Sequence, residues 1–261
     1  MPKVRTNNIN TYYEVTGEGE PLVFVHGLGS STRDWEGQVP AFSKSYQVIT
    51  YDMRGHGLSD KPEGPYQIPM FASDLAGLLH ALGLDAIHLV GISLGGCVAF
   101  QFAISYPELV KTLVIVNSTP GFGDGLEKVL QDVEGRAIIV KQKGMRGMGQ
   151  VLSEALFPKP DQAELRETMV ERWAANDPRA YIEAMRTVFG WNVMDELGLI
   201  KSPTLVISSD QDTMPLEVKE RTVRRIPDAR LVVIPDAHHF VTLERPKKFN
   251  AALGKFLSVY N

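Results

Sequence analysis

The chain has 261 residues, 44% hydrophobic and 22% charged, with a formal net charge of −4. That length suits one sizeable domain with a full core, and the composition is that of an ordinary globular protein rather than a disordered or disulfide-stapled one. The acidic balance disfavours a nucleic-acid partner, the lone Cys97 excludes an internal disulfide, and no apolar run approaches the ~18 residues that cross a bilayer.

Met1 to Asn8 hold no apolar core of signal-peptide length, so a cytoplasmic location is expected. Ile9 to Val15 then alternates apolar and polar residues up to the turn Gly17-Glu18-Gly19-Glu20-Pro21, the pattern of an edge strand in a hairpin. Leu22 to Val25 is a short, wholly apolar run bounded by turn residues. So are Tyr46 to Tyr51, Ile87 to Val90, Leu113 to Val116, Thr204 to Ser208 and Leu231 to Ile234. Strands apolar on both faces belong to a parallel sheet covered by helices on both sides. The amphipathic stretches Met70 to Leu82, Cys97 to Tyr106, Glu217 to Arg225 and Lys247 to Val259 supply those helices, and the alternation predicts an open α/β sheet.

From about Thr119 to Trp191 no strand signal occurs. Helical periodicity marks Glu127-Lys128, Leu152 to Phe157, Ala163 to Trp173 and Tyr181 to Phe189, with joints at Pro158-Lys159-Pro160 and Asp177-Pro178. This reads as a helical insertion or lid, giving a core of residues 1–118 and 192–261 and a cap of residues 119–191. Most of its methionines and aromatics hold the lid helices together. A minority faces the cleft, with Trp173, Phe122 and Met145 as the candidate substrate-binding residues.

The run Ile87 to Val90 leads into Gly91-Ile92-Ser93-Leu94-Gly95 and then into a helix-like stretch. A strand, sharp turn and helix with a central serine push the hydroxyl into a cleft, while the helix aims free N–H groups at any negative charge developing there. A serine hydroxyl at neutral pH needs a base within reach and a carboxylate to orient that base. Thr204 to Ser208 empties into Ser209-Asp210-Gln211-Asp212, with two candidate acids, and Leu231 to Ile234 runs into Pro235-Asp236-Ala237-His238-His239. Nucleophile, acid and base therefore occur in chain order at strand ends, where open α/β sheets build their sites. His80 and His88 lack metal-like spacing to Asp, Glu or Cys, so no metal site is expected. The segment Asp52-Met53-Arg54-Gly55-His56-Gly57-Leu58-Ser59 lacks the Lys-Ser or Lys-Thr of a phosphate loop.

Taken together, His26-Gly27-Leu28-Gly29, the Asp52 to Ser59 segment, the serine turn and His239-Phe240 followed by Glu244 and Pro246 resemble the α/β-hydrolase superfamily, of the serine type with a helical cap. The resemblance implies a mostly parallel sheet flanked by helices with an inserted helical cap after the sixth core strand. It implies Ser93, His239 and Asp212 as the catalytic residues, with Asp210 as the other possible acid, and backbone N–H groups of Leu28 and Leu94 as the oxyanion hole. His26 is expected to brace its loop, and the Asp52 to Ser59 segment to form a turn beside the serine.

A cofactor-independent hydrolase of small to medium carboxylic esters follows, acting on a small-molecule ester or lactone through an acyl-enzyme. The lid residues Arg136, Arg146, Arg172 and Arg186 leave room for an enol-lactonase or a carbon–carbon bond hydrolase of aromatic catabolism acting on carboxylated substrates. A small-molecule receptor on a hydrolase scaffold is the alternative of another class. Dehalogenases and epoxide hydrolases of this fold place aspartate where Ser93 stands.

Overall fold

A computed structural model of the chain describes residues 2–122 and 126–260. Among them, strands β1 (Lys3–Thr6), β2 (Ile9–Thr16), β3 (Glu20–Val25), β4 (Tyr46–Tyr51), β5 (Ile87–Ile92), β6 (Val110–Val116), β7 (Thr204–Ser209) and β8 (Ala229–Ile234) form one sheet in the order β1-β2-β4-β3-β5-β6-β7-β8. β1 with β2 and β2 with β4 pair antiparallel, and every later neighbour is parallel. The helices are α1 (Val39–Phe42), α2 (Ile68–Leu82), α3 (Leu94–Ser105), α4 (Leu126–Leu156), α5 (Ala163–Ala174), α6 (Pro178–Arg186), α7 (Leu216–Arg225), α8 (Val241–Glu244) and α9 (Pro246–Leu257). This is the α/β-hydrolase fold, and none of its described helices is long and apolar enough to cross a membrane.

The all-apolar strands are explained by the two cores. Leu22, Phe24, Val90, Ile92, Val114 and Val116 pack on one face of the sheet, while their alternating neighbours Val23, Val25, Leu89, Leu113 and Ile115 pack on the other. Successive side chains point to opposite faces, so a strand buried on both sides must be apolar at every position.

The Ile9 to Val15 segment is a correction. β2 is not an edge strand but lies between β4 and a strand the pattern did not reveal, the polar β1, which forms the actual edge. β1 carries Lys3, Val4, Arg5 and Thr6 and is mostly exposed, and an edge strand facing water shows no hydrophobic run.

Between β6 and β7 the described chain adds no strand to the sheet. The separate helical signals around residues 127 and 152 are one long helix, α4, interrupted at Gly144 (φ 66, ψ −175). That break resets the helical phase, so Val133 and Val140 before it and Met145, Met148, Leu152 and Leu156 after it all reach the same core. Residues 123–125 of the expected insertion lie outside the described residues.

Buried histidines link the fold to pH. His26 and His56 are fully buried, with ring centroids 5.0 Å apart. Burial pulls His26 down to about 4, against its bond to the Gly27 carbonyl, and burial together with nearby His26 pulls His56 down to about 3. Below the unfolded histidine value of ~6.5 the unfolded chain takes up protons that the folded chain refuses, so stability is lost as pH falls toward 4. Asp34 acts oppositely: burial raises it to about 6 against the Ser30 hydroxyl, so acid relieves part of its cost. The net expectation is a loss of about 2 kcal/mol between pH 7 and pH 5, read as a lower urea midpoint. A midpoint equal or higher at pH 5 would contradict it.

Candidate active site

The carboxyl ends of β3, β5, β6, β7 and β8 gather the residues singled out from the sequence. Ser93 follows β5 at φ 55 and ψ −119, a backbone region that an L-residue adopts only when its surroundings enforce it. The enforcement is steric. A side chain at Gly95 would lie 2.2 Å from the Val25 carbonyl oxygen and 2.5 Å from that of His26, so the turn closes only because the residue has no Cβ. The Ser93 N–H donates to the Val116 carbonyl at 3.0 Å and the Ser118 hydroxyl donates to the Ser93 carbonyl at 2.6 Å, tying the turn to β6.

His239, in the loop after β8, places Nε2 2.9 Å from Ser93 Oγ. Its Nδ1 lies 2.6 Å from Asp212 Oδ1, in the turn after β7. Burial pushes the Asp212 carboxyl up, yet the adjoining His239 and Lys219 hold it down to about 2. An ionised carboxylate only accepts, so Nδ1 carries the imidazole proton and Nε2 is left as an acceptor for the Ser93 hydroxyl. That is the tautomer in which a histidine removes a proton from an alcohol.

The neighbouring candidates take other partners. Asp210 accepts from the N–H groups of Asp236 and Ala237 at 2.9 and 3.0 Å, capping the loop that carries His239. His238 Nδ1 lies 3.0 Å from Glu244 Oε1, and Gln162, from the stretch before α5, donates to the same oxygen at 2.6 Å.

Across from Ser93 runs the loop after β3. A Cβ on Gly27 would lie 3.5 Å from Ser93 Cβ, so this loop and the serine turn face each other. Among the described residues, neither Leu28 nor Leu94 gives its N–H to a backbone acceptor outside regular elements, and Leu94, as the first residue of α3, has no intrahelical acceptor. His26 joins the loop to the next strand end, with Nδ1 2.7 Å from the Gly27 carbonyl and Nε2 accepting from the Met53 N–H at 3.0 Å. Asp52 accepts from the N–H groups of Thr32 and Leu58 at 2.8 and 2.7 Å, which makes the Asp52 to Ser59 segment a hydrogen-bonded turn.

The helices between β6 and β7 rest on this loop. A side chain at Gly29 (φ 69) would meet Trp173 Nε1 at 2.6 Å and Tyr181 Cε2 at 2.9 Å, and Asn176 donates to the Gly29 carbonyl at 2.7 Å. Trp173 also packs edge-on against Phe240, the residue after His239. The indole N–H of Trp173 and the hydroxyl of Tyr181 are buried without a hydrogen-bond partner among the described residues. Met145 is buried in the cluster that includes Trp173 and Phe240, whereas Phe122 is only half-buried, next to the bridge between Gly121 and Asn192.

Of the lid arginines, Arg146 pairs with Glu171, Arg172 with Glu36 and Arg186 with Glu183. Arg136 has no carboxylate partner among the described residues. Its guanidinium stands near the Tyr181 hydroxyl without hydrogen-bond geometry, opposing the rise that burial imposes on that phenol.

Two contributors escape the sequence reading. Asn117, buried at the end of β6 with φ 42, donates to the His239 carbonyl at 2.7 Å and accepts from the Ser209 N–H at 2.8 Å, clamping the loops after β7 and β8 together. Lys219 of α7 donates to Asp212 Oδ2 at 2.5 Å. An asparagine after an apolar run reads as an ordinary turn residue and a lysine in a charged helix as a solvated one, so neither carries a distinguishing signal.

A family model described as the alpha/beta hydrolase fold matches residues 20–246. The 3-oxoadipate enol-lactonase 2 of Acinetobacter baylyi is 28% identical over 92% of this chain and 89% of its own length. The (E)-2-((N-methylformamido)methylene)succinate hydrolase of the same organism is 30% identical, covering 97% and 95%. Among solved structures, a thermophilic esterase from Thermogutta terrifontis with malate bound superposes with a TM-score of 0.88 at 28% identity, covering 100% of this chain and 99% of that one.

Proposed function

Because the chain belongs to the α/β hydrolase fold family, we propose that it is a cofactor-independent serine hydrolase of small to medium carboxylic esters. The observation that carries this reading is the unbroken hydrogen-bond chain from Ser93 Oγ through His239 to Asp212. Ser93 Oγ bonds to the acyl carbon while His239 Nε2 takes the hydroxyl proton, and Asp212 stabilises the resulting imidazolium. Negative charge on the former carbonyl oxygen is met by the N–H groups of Leu28 and Leu94, donors already oriented and contributing on the order of a hundredfold in rate each. Collapse of this intermediate breaks the ester C–O bond, and the leaving alcohol receives the proton from His239. Water then gives its proton to His239 and attacks the acyl-enzyme, releasing the acid and restoring Ser93. In this reading residues 1–118 and 192–261 form the core, and residues 119–191 form a cap whose Trp173, Met145 and Phe122 shape the acyl pocket.

A second reading, an enol-lactonase or carbon–carbon bond hydrolase acting on carboxylated substrates, is favoured by Arg136. A half-buried guanidinium without a carboxylate partner among the described residues, near the buried Tyr181 hydroxyl, suits an anionic group on the substrate.

One experiment addresses both readings. Excess short-chain nitrophenyl ester should give a burst of about one nitrophenolate per molecule and then steady turnover. The nitrophenyl monoester of a short dicarboxylic acid, compared by kcat/KM with its neutral analogue, reports on Arg136. A higher value for the acidic ester selects the carboxylated class, and a lower one the neutral class. A single slow labelling event without turnover would mark a receptor and remove the enzyme reading.

A further inference from the structure

We propose that Lys219 is a positioning residue for the Ser93 site: its buried ammonium occupies one oxygen of the Asp212 carboxylate and fixes the orientation of that group against the His239 imidazole. The proposal rests on the reading of Ser93, His239 and Asp212 as the reacting set.

The side chains of Lys219 and Asp212 are each only 1% exposed. Lys219 Nζ donates to Asp212 Oδ2 at 2.5 Å and to the Met214 carbonyl at 2.6 Å. The opposite oxygen, Oδ1, receives the His239 Nδ1–H at 2.6 Å and the Thr213 N–H at 2.8 Å. With both oxygens engaged from opposite sides the carboxylate cannot rotate, and Oδ1 stays in the plane that orients the imidazole.

The charge acts in the same direction: against the burial that raises it, the His239 imidazole and the Lys219 ammonium together hold the Asp212 carboxyl down to about 2, so it stays ionised and can only accept from Nδ1.

The other charged groups near this junction are committed elsewhere. Asp210 is taken by the N–H groups of Asp236 and Ala237, Glu244 by His238, Gln162 and Lys159, and Asp236 by Lys159 and Arg245. Among the described residues, Lys219 is the ammonium group in direct contact with Asp212.

The test uses Lys219→Met, which removes charge and hydrogen bond, and Lys219→Gln, which removes only the charge. Two quantities are read against the unmodified protein: kcat and KM for a nitrophenyl ester, and the NMR signal of the His239 Nδ1 proton, which reports its hydrogen bond to Asp212. The Nδ1 proton signal should shift or broaden in Lys219→Met and return toward its original position in Lys219→Gln, which keeps a donor on Oδ2. The kcat should fall about tenfold in Lys219→Met and recover in part in Lys219→Gln, with KM within about twofold in both. Folded variants that keep both the Nδ1 proton signal and kcat overturn the proposal. So does failure of both variants to fold, which would make Lys219 a requirement of the fold alone. An Nδ1 proton signal that moves in a protein without ester turnover keeps the Lys219 assignment and removes the ester reading instead.

Discussion

Ser93→Ala is expected to lower ester turnover by about 10⁴-fold or more while moving the melting temperature by no more than about 3 °C. The two effects separate because the hydroxyl and the backbone do different things. The N–H of residue 93 still donates to Val116, its carbonyl still accepts from Ser118, and Gly95 still lets the turn close against the loop after β3. Alanine inherits the same φ of 55, so the strain is neither added nor relieved. Only one hydrogen bond, to His239 Nε2, disappears from the folded state. With it goes the hydroxyl oxygen that the proposed mechanism assigns to attack on the acyl carbon, so no acyl-enzyme should form and the burst should vanish. Steady-state assays with calorimetry on the same sample check both halves. Retention of most of the turnover would remove the serine mechanism.

Asp212→Asn is expected to cost about 10⁴-fold in kcat despite being almost isosteric. The direction follows from Lys219. An amide has one oxygen and one NH₂ group, and the buried ammonium beside Oδ2 demands the oxygen. The NH₂ group then faces His239 Nδ1 and donates to it, which moves the imidazole proton to Nε2. In that tautomer Nε2 cannot accept from Ser93. Asp210→Asn should instead leave kcat near its original value and cost about 1 kcal/mol of stability, since that carboxylate caps backbone N–H groups. If Lys219 dictates the amide orientation, Lys219→Met in the Asp212→Asn background should recover part of the lost rate, a coupling that a double-mutant cycle measures. Tolerance of Asp212→Asn together with intolerance of Asp210→Asn would move the acid to residue 210.

The strands apolar on both faces are legible because a doubly covered sheet allows no polar position. β1 is not, because an exposed edge strand makes no such demand. The phase of the long helix α4 is also hidden: Gly144 looks like any helical glycine in the sequence, yet there it breaks the periodicity that would join the two halves. At the site, the serine turn is legible from its glycines, which answer to a close backbone approach within a few residues. The choice between Asp210 and Asp212, and between His238 and His239, rests locally on resemblance alone, since each pair shares a loop and a residue type.

Chain order, the strand and helix rhythm and the tight turn at Ser93 are properties of neighbours along the backbone, so the sequence by itself determines them. The partnership of Asp212 with His239, the clamp at Asn117 and the burial of Lys219 were decided only when β6, β7, β8 and α7 came together. The reason is that hydrogen bonds and desolvation act through space over a few ångströms. A residue's charge and donors are written in the chain, but what stands within that distance is set by how distant segments pack.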